Sequence, residues 1–131
     1  METSDFIQAV PDDPRQITAY DDNGFRLKEK RYEGAILIFG DTIMPWQNIQ
    51  SVKDITPESF DVFLKAEEKP ELILVGTGAN FIVPPFKVRK VLRDHHIALE
   101  WMNTKAALST WPILLGDGRY VAGCLLPISF M

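Results

Sequence analysis

Apolar positions along the first third of the chain alternate with polar ones, and further on they adopt helical spacing. Ile17 to Tyr20 and Phe25 to Leu27 are β-prone runs on either side of Asp21-Asp22-Asn23-Gly24. The Asn-Gly pair predicts a tight hairpin turn built on positive φ angles. Arg31 to Phe39 predicts a third strand, Gly40-Asp41 a turn, and Thr42 to Trp46 a strand that pairs back, so the opening half is antiparallel. Thr56-Pro57 then reads as an N-cap with proline at the first helical position, followed by Phe60, Phe63 and Leu64 at helical spacing until Pro70. Leu72 to Val75 is a continuous apolar run, the pattern of a strand covered on both faces, and it stops at Gly76-Thr77-Gly78.

Past Pro84-Pro85, Val88, Val91 and Leu92 predict a helix, and Ile97, Leu99 and Trp101 alternate with Ala98 and Glu100 as in a strand. Strand, helix and strand over this length predict parallel neighbours joined by a crossover. Asn103 or Thr104 caps a last helix in which Ala107, Trp111 and Leu114 share a face, and Pro112 is expected to break or kink its ladder. Gly116-Asp117-Gly118 ends that helix, and Tyr120 to Leu126 is the closing strand. The expected organisation is one α/β domain over residues 17–131, preceded by a flexible or surface-laid arm over residues 1–16.

Composition narrows the function classes. With 131 residues, 46% of them hydrophobic, the chain has enough apolar mass for one sizeable core. Its 18 acidic and 14 basic residues are interspersed and sum to a net charge of -4, so no basic stripe is available for a phosphate backbone, and nucleic acid is not an expected partner. Cys124 is the only cysteine, which excludes an internal disulfide and a cysteine zinc cage and suits a reducing compartment. Met1 to Pro14 has no apolar run, and Ala35 to Phe39 is too short to cross a bilayer, so a cytoplasmic protein without stable membrane insertion is expected.

A set of residues in order carries a family resemblance. It comprises Ile17 with Tyr20, Gly24-Phe25 and Tyr32-x-Gly34, then Leu72 to Val75 with Gly76-Thr77-Gly78. The set continues as Ile97-x-Leu99-Glu100-x-Met102-x-Thr104-x-Ala106-Ala107-x-x-Thr110 and Asp117-Gly118-Arg119-x-Val121-Ala122. It resembles the small α/β domain family that includes the mitochondrial respiratory complex I assembly factor three, the adipogenesis-associated domain protein and uncharacterised bacterial members. The resemblance implies a three-layer fold with a central mixed β-sheet flanked by helices and an N-terminal antiparallel β portion. It implies no catalytic residue and no cofactor and points to action through a protein partner, while the lack of a transit-peptide pattern over Met1 to Pro14 leads to the expectation of a bacterial-type protein. Pro112, Leu108 and Gly123 depart from the family pattern, in which asparagine, cysteine and alanine are usual.

The candidate chemistry gathers at one sheet edge. If the strands over 72–75 and 97–102 are parallel, their carboxyl ends bring Gly76, Thr77 and Gly78 beside Asn103 and Thr104 at a helix N-terminus, where exposed amides favour a small anion. Arg119 is a candidate guanidinium for that edge, and Glu100 its partner or a proton carrier. The alternative is that the glycines only turn the chain and Asn103 or Thr104 only caps. The dinucleotide fingerprint fails at Phe81, where a third glycine would stand. His95 and His96 diverge too far to hold one metal, Cys124 reads as a buried inert thiol, and Asp21-Asp22-Asn23 reads as turn chemistry, so no catalytic or metal site is assigned. Trp46, Trp101, Trp111 and the apolar C-terminus leave open either full burial or an apolar contact surface for a partner or for self-association. Two functions therefore stay in view: a non-enzymatic interaction or assembly module, and a small-anion or small-ligand protein or enzyme using the Gly76-Thr77-Gly78 and Asn103-Thr104 edge.

Overall fold

Residues 13–130 are described by the computed structural model of the chain. The N-terminal hairpin forms where the alternation places it, with β1 (Ile17–Asp21) antiparallel to β2 (Gly24–Leu27), and β3 (Lys30–Glu33) completes a three-stranded sheet. The turn uses no positive φ at Asn23 or Gly24, contrary to the expectation. It is built instead by the Asp21 carboxylate, which accepts the Asn23 amide at 2.8 Å. Glycine is needed at position 24 because a side chain there would collide with the Tyr32 carbonyl oxygen across the sheet.

The run expected as one strand over 31–39 is two strands in two sheets. Gly34, at φ 85°, turns the chain out of the first sheet after β3 and into β4 (Ile36–Phe39), which pairs with β5 (Thr42–Pro45). The segment after Thr56 is shorter than its spacing predicts: a 3-10 turn over Pro57–Phe60 runs into one helical turn, α1 (Asp61–Leu64). Then follow β6 (Leu72–Thr77), α2 (Phe86–Asp94), β7 (Ala98–Met102), α3 (Thr104–Gly116) and β8 (Val121–Leu126). Helix α3 continues through Pro112 to Gly116 without the expected break. The missing amide removes one rung of the ladder and leaves the rest intact.

The second sheet is mixed, in the order β5-β4-β8-β6-β7, with β6 parallel to both β7 and β8, and β4 antiparallel to β8. Every residue of β6 and β8 is buried, because apolar layers cover both faces. Leu37, Ile73, Val75, Ala122 and Cys124 pack with Phe60, Phe63, Val88 and Leu92 of the α1 and α2 layer. Ile36, Ile38, Leu74 and Leu125 pack on the other side with Phe25 and Leu27 of the small sheet and with Ala107, Trp111 and Leu114 of α3. The chain is thus a three-layer α/β structure with a central mixed sheet.

Much of the arm expected over residues 1–16 lies outside the described residues. Its described end is laid on the domain, the Arg15 carbonyl accepting the Trp111 indole N–H at 2.8 Å and the Arg15 guanidinium meeting Asp13 at 2.6 Å.

Candidate functional site

The parallel pairing of β6 and β7 brings the two halves of the expected edge together. Asn103 caps α3, its side chain accepting the Ala106 amide at 2.8 Å. Thr104, fully buried, sits where three elements meet. Its hydroxyl accepts the Gly78 amide at 2.8 Å and donates to the Leu126 carbonyl at 2.6 Å, while its own amide donates to the Gly78 carbonyl at 2.9 Å. The buried Thr77 hydroxyl donates to the Asn80 carbonyl at 2.6 Å. Gly78 has φ 93°, and a side chain on it would strike the Phe130 carbonyl oxygen of the C-terminal turn. That turn also reaches the first hairpin, where the Ser129 amide donates to the Asp22 carbonyl and the Ser129 hydroxyl to Asn23 Oδ1, both at 2.9 Å.

The Gly78, Thr104 and Ala106 amides and the Thr104 hydroxyl are therefore committed within the protein, and Gly78 lies against the carbonyl oxygens of Pro127 and Phe130. A buried hydroxyl with both a donor and an acceptor satisfied stabilises the junction, and exchanging those partners for a ligand would leave buried groups unmatched. Arg119 stands elsewhere. It precedes β8, and because β8 runs parallel to β6 it lies at the amino ends of these strands, the opposite end from Thr77 and Leu126. There it is exposed, 4.0 Å from Asp117. The structure thus gathers Gly76, Thr77, Gly78, Asn103 and Thr104 and leaves Arg119 and Glu100 apart from them, Glu100 being an exposed residue of β7.

The remaining expected sites resolve as local chemistry. The Arg31 guanidinium holds Asp21 through two 2.9 Å hydrogen bonds and lowers its pKa to about 2, so the acidic turn is an ion pair on a hairpin. His95 closes α2, its Nδ1 2.9 Å from the Val91 carbonyl oxygen, and His96 takes the left-handed conformation that follows the helix. Burial pushes the Cys124 thiol well above its ordinary range. Trp46 and Trp111 are core residues, and Trp101 is half-buried.

The exposed apolar surface comes from another segment. Phe81, Ile82, Val83 and Phe86 are 56%, 46%, 70% and 59% exposed, and they lie together in the chain, whereas the other exposed large apolar residues, Tyr20, Val62 and Ile113, are scattered singly along it. The Trp101 indole N–H donates to the Ile82 carbonyl and holds this loop over the end of β7. Beside it a groove of about 680 Å³ follows β7, lined by Pro84, Arg89, Arg93, His96 and residues 97–101. The signal was present in the sequence: Pro84-Pro85 separates Phe81, Ile82 and Val83 from the helix that Phe86 opens, so the three have no regular element in which to be buried.

Residues 17–126 match the family described as protein of unknown function (DUF498/DUF598). The chain belongs to this family. Its sequence is 32% identical over 124 residues to NADH dehydrogenase [ubiquinone] 1 alpha subcomplex assembly factor 3 of Rattus norvegicus, covering 95% of the chain and 64% of that relative's length. A crystal structure of a Bordetella parapertussis protein superposes with a TM-score of 0.76 at 31% identity, covering 86% of this chain and 94% of that one. The solution structure of a Bordetella pertussis protein, a Mth938-like domain, gives 0.71 at 29% identity over 88% of this chain and 87% of that one. The resemblance carried by the ordered motifs is thereby borne out, and so is the three-layer α/β fold. Of the three departures noted in the sequence, Gly123 has a visible consequence. A β-carbon there would stand 3.2 Å from Cη2 and Cζ3 of Trp111, so its absence makes room for the indole of this DUF498/DUF598 member.

Proposed function

We propose that the chain is a non-enzymatic protein-interaction module of the assembly-factor type, acting as one α/β domain on a protein partner. The observation that carries this is the exposed apolar run Phe81–Phe86 beside the open groove along β7. Contiguous exposed apolar surface on a folded domain marks a place where another surface is desolvated. Similarity to a relative named for the assembly of NADH dehydrogenase supports the reading. A bacterial-type, cytoplasmic setting belongs to the same proposal, supported by the Bordetella relatives and by a single buried thiol suited to a reducing compartment.

The test is affinity purification of the tagged chain at native expression, beside a Phe81→Ser/Phe86→Ser variant and an empty tag, with sedimentation velocity on the product. A partner recovered at fixed stoichiometry by the wild type and lost by the variant is the expected outcome. Recovery of the chain alone, or of the same proteins by the variant, contradicts the reading. A concentration-dependent dimer of the isolated chain identifies the partner as a second copy.

A further inference from the structure

The mixed sheet has two edges, and the chain treats them differently. Strand β5 is four residues long and ends in Pro45, which has no amide to offer. Strand β7 has no proline, is paired only by β6 among the described residues, and its other side opens into the groove. The Ala98 amide donates to the Glu71 carbonyl on the β6 side. By the alternation of strand amides, Leu99 and Trp101 then direct theirs outward. Their side chains pack on the core cluster that contains Val88 and Leu92 of α2, so one face of β7 lies under α2 and the exposed Glu100 points to the other.

Helix α2 borders the groove with cations. Lys90 is paired with Asp94 at 2.8 Å, whereas neither Arg89 nor Arg93 forms an ion pair among the described residues. Arg89 lies over the Phe86 ring, 6.0 Å from its centroid, and both arginines line the groove. Four residues of helix advance about 6 Å, and alternate side chains on one face of a strand repeat at about 6.6 Å. An extended segment laid against β7 therefore presents successive same-face side chains in step with Arg93 and Arg89, and the next one toward Pro84 and Phe86.

We propose that the open edge of β7 takes an extended segment of a partner protein by strand addition, with two acidic side chains, two residues apart, on Arg89 and Arg93. The inference rests on the interaction-module reading and names the partner's chemistry. Backbone hydrogen bonds from Leu99 and Trp101 supply affinity, and the two guanidiniums supply selectivity. A second copy of this chain fits less well. Antiparallel continuation of the sheet about a two-fold axis keeps the α2 layers on one side and sets the four arginines against each other. A lipid surface would meet the same arginines and the Phe81–Phe86 loop, but acyl chains offer nothing to the outward amides of β7.

The experiment is an amide NMR titration of the full chain with a nine-residue peptide alternating glutamate and threonine, beside its lysine-for-glutamate counterpart. The expected result is shifts centred on Leu99, Trp101 and the Trp101 indole with the acidic peptide alone. Affinity should fall at least ten-fold in Arg89→Glu/Arg93→Glu, an exposed double variant whose fold is checked by its unshifted core amides. Leu99→Pro, which removes one outward amide, should weaken binding in the same way. Equal binding of the lysine peptide, shifts confined to other surfaces, or indifference to Arg89→Glu/Arg93→Glu overturns strand addition. So does arginine-dependent flotation with vesicles containing phosphatidylserine in a protein that ignores the peptide. If the peptide does not bind while Phe81 and Phe86 still govern partner recovery, strand addition fails and the module reading survives. Loss of both removes the module as well.

Discussion

Replacing Thr104 by valine removes one oxygen and keeps the side-chain shape. In the native junction that oxygen accepts the Gly78 amide at 2.8 Å and donates to the Leu126 carbonyl at 2.6 Å, with Thr104 fully buried. Valine leaves both groups inside the protein without a partner. Each buried unmatched group costs about 1–3 kcal/mol. After allowing for the more favourable burial of a methyl group, the expected loss is about 2–4 kcal/mol. With a urea dependence of about 2 kcal/mol per molar, the middle of the range for small proteins, the unfolding midpoint should fall by roughly 1–2 M. Thr104→Ser is the control: it keeps both hydrogen bonds and loses one methyl group, for about 1 kcal/mol. Urea unfolding followed by tryptophan fluorescence reads all three proteins. A Thr104→Val variant no less stable than Thr104→Ser would refute the claim that this hydroxyl ties β6, α3 and β8 together.

Three further outcomes follow from the same geometry. Gly123→Ala should destabilise by about 1–3 kcal/mol through overpacking and alter the near-UV circular dichroism of Trp111, since the added carbon meets the indole at 3.2 Å; an unchanged spectrum and midpoint would show that the ring has room. The Asp21 pKa is depressed from 3.8 to about 2 by Arg31, so this pair's contribution is present above the unfolded-state value and is lost as pH falls through the folded one. Between about pH 4 and pH 2 the stability of Arg31→Met should accordingly decline less steeply than that of the wild type, as read by urea midpoints across that range, and parallel curves would contradict the assignment. Cys124 is buried with a raised pKa and should react with Ellman's reagent only after denaturation; stoichiometric labelling of the native protein would show an opening that the structure does not contain.

The elements were legible wherever a local pattern decides them. The apolar run of β6, the alternation of β7 and the spacing of Val88 and Leu92 each reflect a face that has to be covered, so the crossover and the mixed sheet follow. What local pattern does not encode is which sheet a strand joins. Residues 31–39 read as one strand because both halves are β-prone, and only the positive φ of Gly34 and the pairing of Ile36 with Leu125 separate them. Gly24 is required by the Tyr32 carbonyl across the sheet and not by a positive φ, a reason that no local pattern carries.

The candidate site was legible as a meeting place and not as a function. Parallel pairing puts Gly78 beside Thr104, but the sequence does not show that Thr104 spends its hydroxyl on Leu126. Arg119 lies at the opposite end of the sheet because β8 runs parallel to β6, a direction that the local sequence does not encode. The segment from Phe81 to Pro85 has no period to mark it as an element, and that lack of period is why its apolar side chains stay exposed.

Where the partner binds is tested most directly by hydrogen–deuterium exchange of the chain purified with and without its captured partner. Protection of the amides over residues 81–86 and at Leu99 and Trp101 is the predicted result. Unchanged exchange there, with protection at Gly78 and Ala106 instead, would contradict it and return the function to the Gly76-Thr77-Gly78 edge.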